Sequence, residues 1–156
     1  MARGRMTDDP MPPPSFDKSA SAGFLANHMA RLFEQALARA IRPLGLAPAQ
    51  FMALLELWRA EGITQADLCA RLDVEQATMA ATLNRMQRDG LIDRRPHPQD
   101  RRAQGIWLTD RARSLQPAAE AAAAAVNGRA LAGLTAADRA AFLTAMSAVI
   151  RALQRG

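Results

Sequence analysis

A chain of 156 residues is one domain's worth of material, and a 49% share of hydrophobic residues is enough to bury a core. No apolar run reaches the roughly 18–20 residues that a membrane-spanning helix needs, and residues 1–17 lack the apolar stretch of a signal peptide. The net charge of +5 suits an anionic partner, while the single cysteine excludes a disulfide framework and a cysteine-cluster metal site. A cytoplasmic protein with no membrane partner is expected. The apolar share is mostly alanine, leucine and methionine, with no tyrosine, which is the composition of a mainly helical protein.

Residues 1–16 carry four prolines and no hydrophobic period, so a disordered N-terminal arm is expected there. A long amphipathic helix follows, with Phe24, His28, Leu32, Ala36 and Ala40 recurring every four residues until Pro43 and Gly45 stop it. Ala47-Pro48 opens a second helix, with apolar positions Phe51, Met52, Leu54, Leu55 and Trp58, and Gly62 ends it. Thr64 is placed to cap a short third helix over 65–72, with Asp67 in the capping-box position and Leu68, Cys69 and Leu72 facing inward. A fourth helix spans about 75–89, with Met79, Leu83 and Met86 inward and Gly90 after it.

The period then changes. Residues 91–95 and 104–108 read as two short strands joined by a polar loop with two prolines, making an antiparallel ribbon. Thr109 caps a long alanine-rich helix to about Asn127, with Pro117 as an expected kink. Thr135 and Asp138 start a last helix with the stripe Phe142, Met146, Val149, Ile150 and Leu153. Charge is concentrated in one stretch: from Arg85 to Arg113 there are eight arginines against four aspartates.

Two short helices joined by a tight turn, the second followed by a basic ribbon, have the order of a winged helix-turn-helix. A helix fits the major groove of B-DNA, and an arginine-tipped ribbon can enter the adjacent minor groove or follow phosphates. From Asp100 the chain reads D-R-R-A-Q-G-I-W-L-T, which resembles the wing signature D-x-R-[AS]-x-x-[IVL]-x-L-T of the MarR (multiple antibiotic resistance) regulators. Residues 83–96, L-N-R-M-Q-R-D-G-L-I-D-R-R-P, are similar to that family's recognition-helix end and first wing strand. Residues 44–55 are similar to its second helix.

The resemblance implies a mainly α fold with a small β-wing. It implies a winged helix-turn-helix lobe over 47–108 that binds double-stranded DNA, and dimerisation helices (helices 1, 5 and 6) over 17–46 and 109–156. The implied partners are a pseudo-palindromic operator, a second copy of the chain and a small-molecule effector. Gln76, Thr78 and Thr82 are expected to face bases, with Arg85 on phosphate or base. Family members often carry a polar residue and an arginine where this chain has Ala80 and Ala81, so contact with a thymine methyl is what remains there. In the wing, Arg102 is expected in the minor groove, oriented by a salt bridge from Asp100, with Arg94, Arg95 and Arg101 on phosphates. By precedent the effector is an aromatic carboxylate, a phenolic compound or a CoA thioester, with His28, Met29, Phe33, Met52, Trp58 and Trp107 as candidate contacts.

A ligand-released repressor is therefore the expected function. Two alternatives remain: a thiol-sensing regulator acting through Cys69, and a winged helix that binds protein. No GxSxG elbow or phosphate-cradling glycine loop is present, so no enzyme activity is expected. His28 and His97 are too few and too far apart for a metal site, and no cofactor is expected.

Overall fold

The structure, a computed structural model, describes residues 15–156. The expected disordered arm over 1–16 lies, except for Ser15 and Phe16, outside those residues. The chain divides into two compact units, one ending at Leu32 and one comprising Phe33–Gly156.

In the N-terminal unit, Asp17 accepts hydrogen bonds from the backbone N–H and hydroxyl of Ser19 (2.9 and 2.6 Å), closing a 3₁₀ turn at Lys18–Ala20. Helix α1 (Ala22–Ile41) begins there and passes into the larger unit, where Ile41 is its one fully buried residue among those described. A 3₁₀ turn at Arg42–Leu44 ends it. Gly45 completes that stop at φ +74°, a conformation glycine adopts without steric cost.

Helix α2 (Pro48–Arg59) starts with proline in the first turn, where the missing N–H costs nothing. Its inner face is Phe51, Ala53, Leu54 and Leu57. The periodicity reading missed Leu57 and included Met52, which is 45% exposed. Strand β1 (Ile63–Thr64) leads into α3 (Gln65–Leu72). The expected capping box is present: the Asp67 N–H donates to Thr64 Oγ1 (3.1 Å), and the Thr64 N–H donates to Asp67 Oδ2 (2.8 Å). The Thr64 hydroxyl also donates to Asp67 Oδ2 (2.8 Å), and these two donors, the N–H foremost and the hydroxyl next, hold the Asp67 carboxyl below the ordinary carboxylate range. Asp73 turns the chain in the left-handed region at φ 51° before α4 (Gln76–Arg88).

Strands β2 (Ile92–Pro96) and β3 (Gln104–Leu108) form the expected ribbon, and β1 extends it to a three-stranded antiparallel sheet in the order β1-β3-β2. The register pairs Ile63 with Ile106, and Ile92 with Leu108. Ile92, Ile106 and Leu108 turn inward onto a core shared with Leu54, Leu57, Leu68, Leu83 and Met86. Thr109 joins the sheet to the next helix: its hydroxyl donates to the Gly90 carbonyl (2.7 Å) and accepts from the Ala112 N–H (3.2 Å).

Helix α5 (Asp110–Ala130) continues without a break through Pro117. Ala112 and Ala119 are buried in the core, their small side chains letting the helix lie close against it. Helix α6 (Ala136–Leu153) is capped by Thr135 and Asp138 as expected, but none of its residues is buried. Leu143, Val149, Ile150 and Leu153 are at least half exposed. Fully burying each such side chain would contribute about 1.5–3 kcal/mol.

Candidate functional site

Helix α4 is held at both ends. At its start, Gln65 of α3 donates through Nε2 to the Gln76 side-chain oxygen (3.0 Å) and backbone carbonyl (3.3 Å). At its end, Asp89 is held by two other helices. Its carboxylate accepts from the buried Gln50 of α2 (2.9 Å), and its carbonyl accepts from the Arg111 guanidinium of α5. Gln50 also accepts the Ala47 N–H (3.0 Å), so one amide caps α2 and anchors the end of α4. Its place three residues after the helix start was the available signal for the first role.

Met79, Leu83 and Met86 of α4 point into the core as expected, leaving Gln76, Ala77, Thr78, Ala81, Asn84, Arg85, Gln87 and Arg88 exposed. Thr82 corrects the sequence reading. It is only 4% exposed, and its hydroxyl donates to the Thr78 carbonyl one turn back (3.0 Å), so it has no free surface for a base edge. A threonine at the margin of an apolar stripe satisfies its hydroxyl this way when its methyl packs inward.

The wing loop is built on backbone hydrogen bonds. The His97 N–H donates to the Ala103 carbonyl (2.9 Å), and the Ala103 N–H to the Asp100 carbonyl (3.1 Å). The expected salt bridge from Asp100 to the Arg102 guanidinium is not formed. Asp100 Oδ1 instead accepts the Arg102 backbone N–H (2.9 Å), which shapes the turn and leaves the guanidinium free to project. A carboxylate two residues before an N–H reaches the backbone more easily than the far end of a long side chain.

The eight arginines separate into two sets. Arg113 is held by Glu61 (2.7 Å) and Asp110 (2.9 Å), with Glu61 the main cause of its strengthened protonation. Arg111 is bound to the Asp89 carbonyl, and Arg88 lies 3.8 Å from the Asp89 carboxylate. Arg95 lies 3.6 Å from Asp93 and 5.6 Å from the Trp107 ring centre. Arg85, Arg94, Arg101 and Arg102 have no carboxylate within 4.0 Å among the described residues, and all but Arg94 are exposed. Exposed unpaired guanidinium groups on one helix and one ribbon suit a polyanion, because binding need not break an internal ion pair.

Four of the six expected effector contacts, Phe33, Met52, Trp58 and Trp107, belong to Phe33–Gly156. Trp107 packs at the root of the wing against Gly62. It lines an open cleft of about 210 Å³ with Glu61, His97, Pro98 and Gln99, and Phe33, Met52 and Trp58 do not line that cleft. Trp58 is anchored elsewhere: its indole N–H donates to the Ala112 carbonyl (3.1 Å), and its ring stands edge-on to Phe51. Met52 is exposed, and Phe33 is half-buried. His28 and Met29 belong to the N-terminal unit, where Phe24 meets His28 edge-on at 6.2 Å. Cys69 is half-buried against the core. No helix among the described residues is long and apolar enough to cross a membrane.

The sequence profile of the MarR family matches residues 44–103, which run from the turn before α2 to the end of the wing loop. The HTH-type transcriptional repressor Rv2887 of Mycobacterium tuberculosis is 30% identical over 117 residues, covering 75% of this chain and 84% of that protein. Among solved structures, CouR of Rhodococcus jostii RHA1 bound to p-coumaroyl-CoA superposes with a TM-score of 0.75 at 24% identity, covering 86% of this chain and 95% of that one. The transcriptional repressor CouR bound to a 23-mer DNA duplex gives a TM-score of 0.74 at 27% identity, covering 85% and 94%. The capped helix pair, the arginine-bearing wing and a relative aligned over most of its length together make this chain a member of the MarR family of winged helix-turn-helix transcriptional regulators.

Proposed function

We propose that this regulator is a sequence-specific DNA-binding repressor that acts as a homodimer and is released from its operator by a small molecule. The observation that carries the proposal is the set of unpaired arginines, Arg85, Arg94, Arg101 and Arg102, beside the outward polar face of α4. In this reading α4 enters the major groove, where Gln76 and Thr78 meet base edges and Arg85 meets base or phosphate. Arg102 reaches the minor groove, Asp100 shapes the turn that presents it, and Arg94, Arg95 and Arg101 lie along phosphates.

The apolar side chains that α6 leaves exposed support the dimer, since a second copy is the usual means of covering such a face. Residues 17–46 and 109–156 are its proposed dimerisation helices, and 47–108 the DNA-binding lobe. A two-fold dimer places two α4 helices in successive major grooves about 34–36 Å apart, which requires a pseudo-palindromic operator. An effector that favours a different lobe spacing would release the DNA by population shift. A small aromatic acid, a phenolic compound or a CoA thioester is the proposed effector class, supported by the p-coumaroyl-CoA complex of CouR. Within Phe33–Gly156, Phe33, Met52 and Trp58 are the proposed contacts.

Duplex binding measured across a salt series tests the central claim. Each lost phosphate contact reduces the steepness of the fall of log affinity with log salt by about 0.9. Arg101→Ala/Arg102→Ala is expected to flatten the slope, whereas Arg113→Ala, which removes a cation held by Glu61 and Asp110, is expected to leave it unchanged. Absence of duplex binding at low salt would overturn the proposal and favour a winged helix that docks on protein.

A further inference from the structure

The N-terminal half of the centre of the exposed face of α4 is apolar. At 3.6 residues per turn, Ala77, Ala81, Asn84 and Arg88 (i, i+4, i+7, i+11) form the row directly opposite Met79 and Met86, which are buried. Thr78 and Arg85 therefore flank this row, and Gln76 lies farther round, toward the buried face. Ala77 and Ala81 are both exposed, while Ala80 is turned partly into the protein. The first two turns of α4 hold no lysine or arginine, so they carry no guanidinium fork for guanine. The Gln76 side-chain oxygen is already engaged by Gln65.

A recognition helix reads base edges mainly through its N-terminal residues, and the one apolar group on the major-groove edge is the C5-methyl of thymine. Two methyl side chains at the centre of that segment also let the backbone approach the base edges more closely than a longer side chain would. We propose that Ala77 and Ala81 are further specificity-determining residues of α4, beside its polar base contacts, and that they select thymine through its C5-methyl group. Asn84 follows one turn later on the same row, and its amide matches the donor–acceptor edge of adenine. The half-site is accordingly rich in A·T pairs where the helix enters the groove. This inference rests on α4 being the helix that enters DNA.

The test begins with operators selected by the full-length chain from a random duplex library. Each thymine of a selected operator is then replaced singly by deoxyuridine, which removes the methyl and keeps the base pair. Losing one buried methyl is worth about a fourfold drop in affinity. One or two thymines per half-site are expected to show that drop, and 5-methylcytosine placed there should bind more tightly than cytosine. Ala77→Ser and Ala81→Ser, both at exposed positions, should bind the thymine and uracil operators alike. Selected operators that bind equally with uracil at every position would overturn the proposal while leaving DNA binding intact. Failure to select any duplex would overturn both.

Discussion

Gly62→Ala probes the root of the wing. Gly62 sits at φ +78°, donates its N–H to the Ile106 carbonyl (2.7 Å) and lies against the Trp107 ring. A Cβ built there would come 2.8 Å from Trp107 Cζ2, and 3.2 Å from both Cε2 and Cη2. Two costs follow. Holding alanine in the left-handed region costs roughly 1–2 kcal/mol. Displacing a ring packed between Gly62 and Arg95 costs about 1–3 kcal/mol, as over-packing generally does. Their sum, about 2–5 kcal/mol, should appear as a lower midpoint in urea unfolding followed by circular dichroism at one fixed protein concentration. Trp107→Ala separates the two costs, because without the ring only the backbone term remains. In that background Gly62→Ala should cost about 1–2 kcal/mol, leaving a coupling energy of at least 1 kcal/mol between the sites. An equal cost in both backgrounds would show that the ring contact is not what demands glycine.

Glu61 Oε1 accepts both the Arg113 guanidinium (2.7 Å) and the Leu108 N–H (2.9 Å), so Glu61→Ala should destabilise more than Arg113→Ala. A part-buried N–H left without a partner costs about 1–3 kcal/mol, whereas an exposed ion pair is screened by solvent and contributes little, and equal losses would contradict this division. Thr82→Val should leave duplex affinity unchanged, because the Thr82 hydroxyl faces the Thr78 carbonyl; a tenfold loss of specific binding would restore it as a base reader. Thr64→Ala should cost about 1 kcal/mol of stability by uncapping α3. The Asp67 carboxyl, whose pKa the Thr64 donors depress in the folded state, contributes stability above its unfolded pKa of about 3.9 that is lost as pH falls through the lower folded value. The stability gap between wild type and Asp67→Asn should therefore narrow below about pH 4 in acid titrations, and a constant gap would contradict the assigned donors.

Much of the fold was legible because its signals are local. Thr64 with Asp67, Thr109, and Thr135 with Asp138 cap helices three residues away or less. Gly45, Gly62 and Gly90 occupy the positive-φ turns where the helices stop. The wing was legible from its charge and its change of period. Strand β1 was not, because two residues carry no readable alternation and become a strand only by pairing with Gly105 and Ile106.

The candidate site divides in the same way. That α4 has an apolar face and that arginines gather around it follows from order along the chain alone. Which of those arginines are free depends on how the folded chain packs. Arg113 finds Glu61 across 52 residues, Gln50 finds Asp89 across 39, and Trp58 finds the Ala112 carbonyl across 54. The same packing also fixes that Thr82 is buried, that Asp100 serves the backbone of Arg102 rather than its guanidinium, and that Trp107 stacks at the root of the wing. Periodicity reports which face of a helix is apolar. Which polar atoms meet depends on how distant segments pack, and each of those contacts forms only after that packing has brought the two ends together.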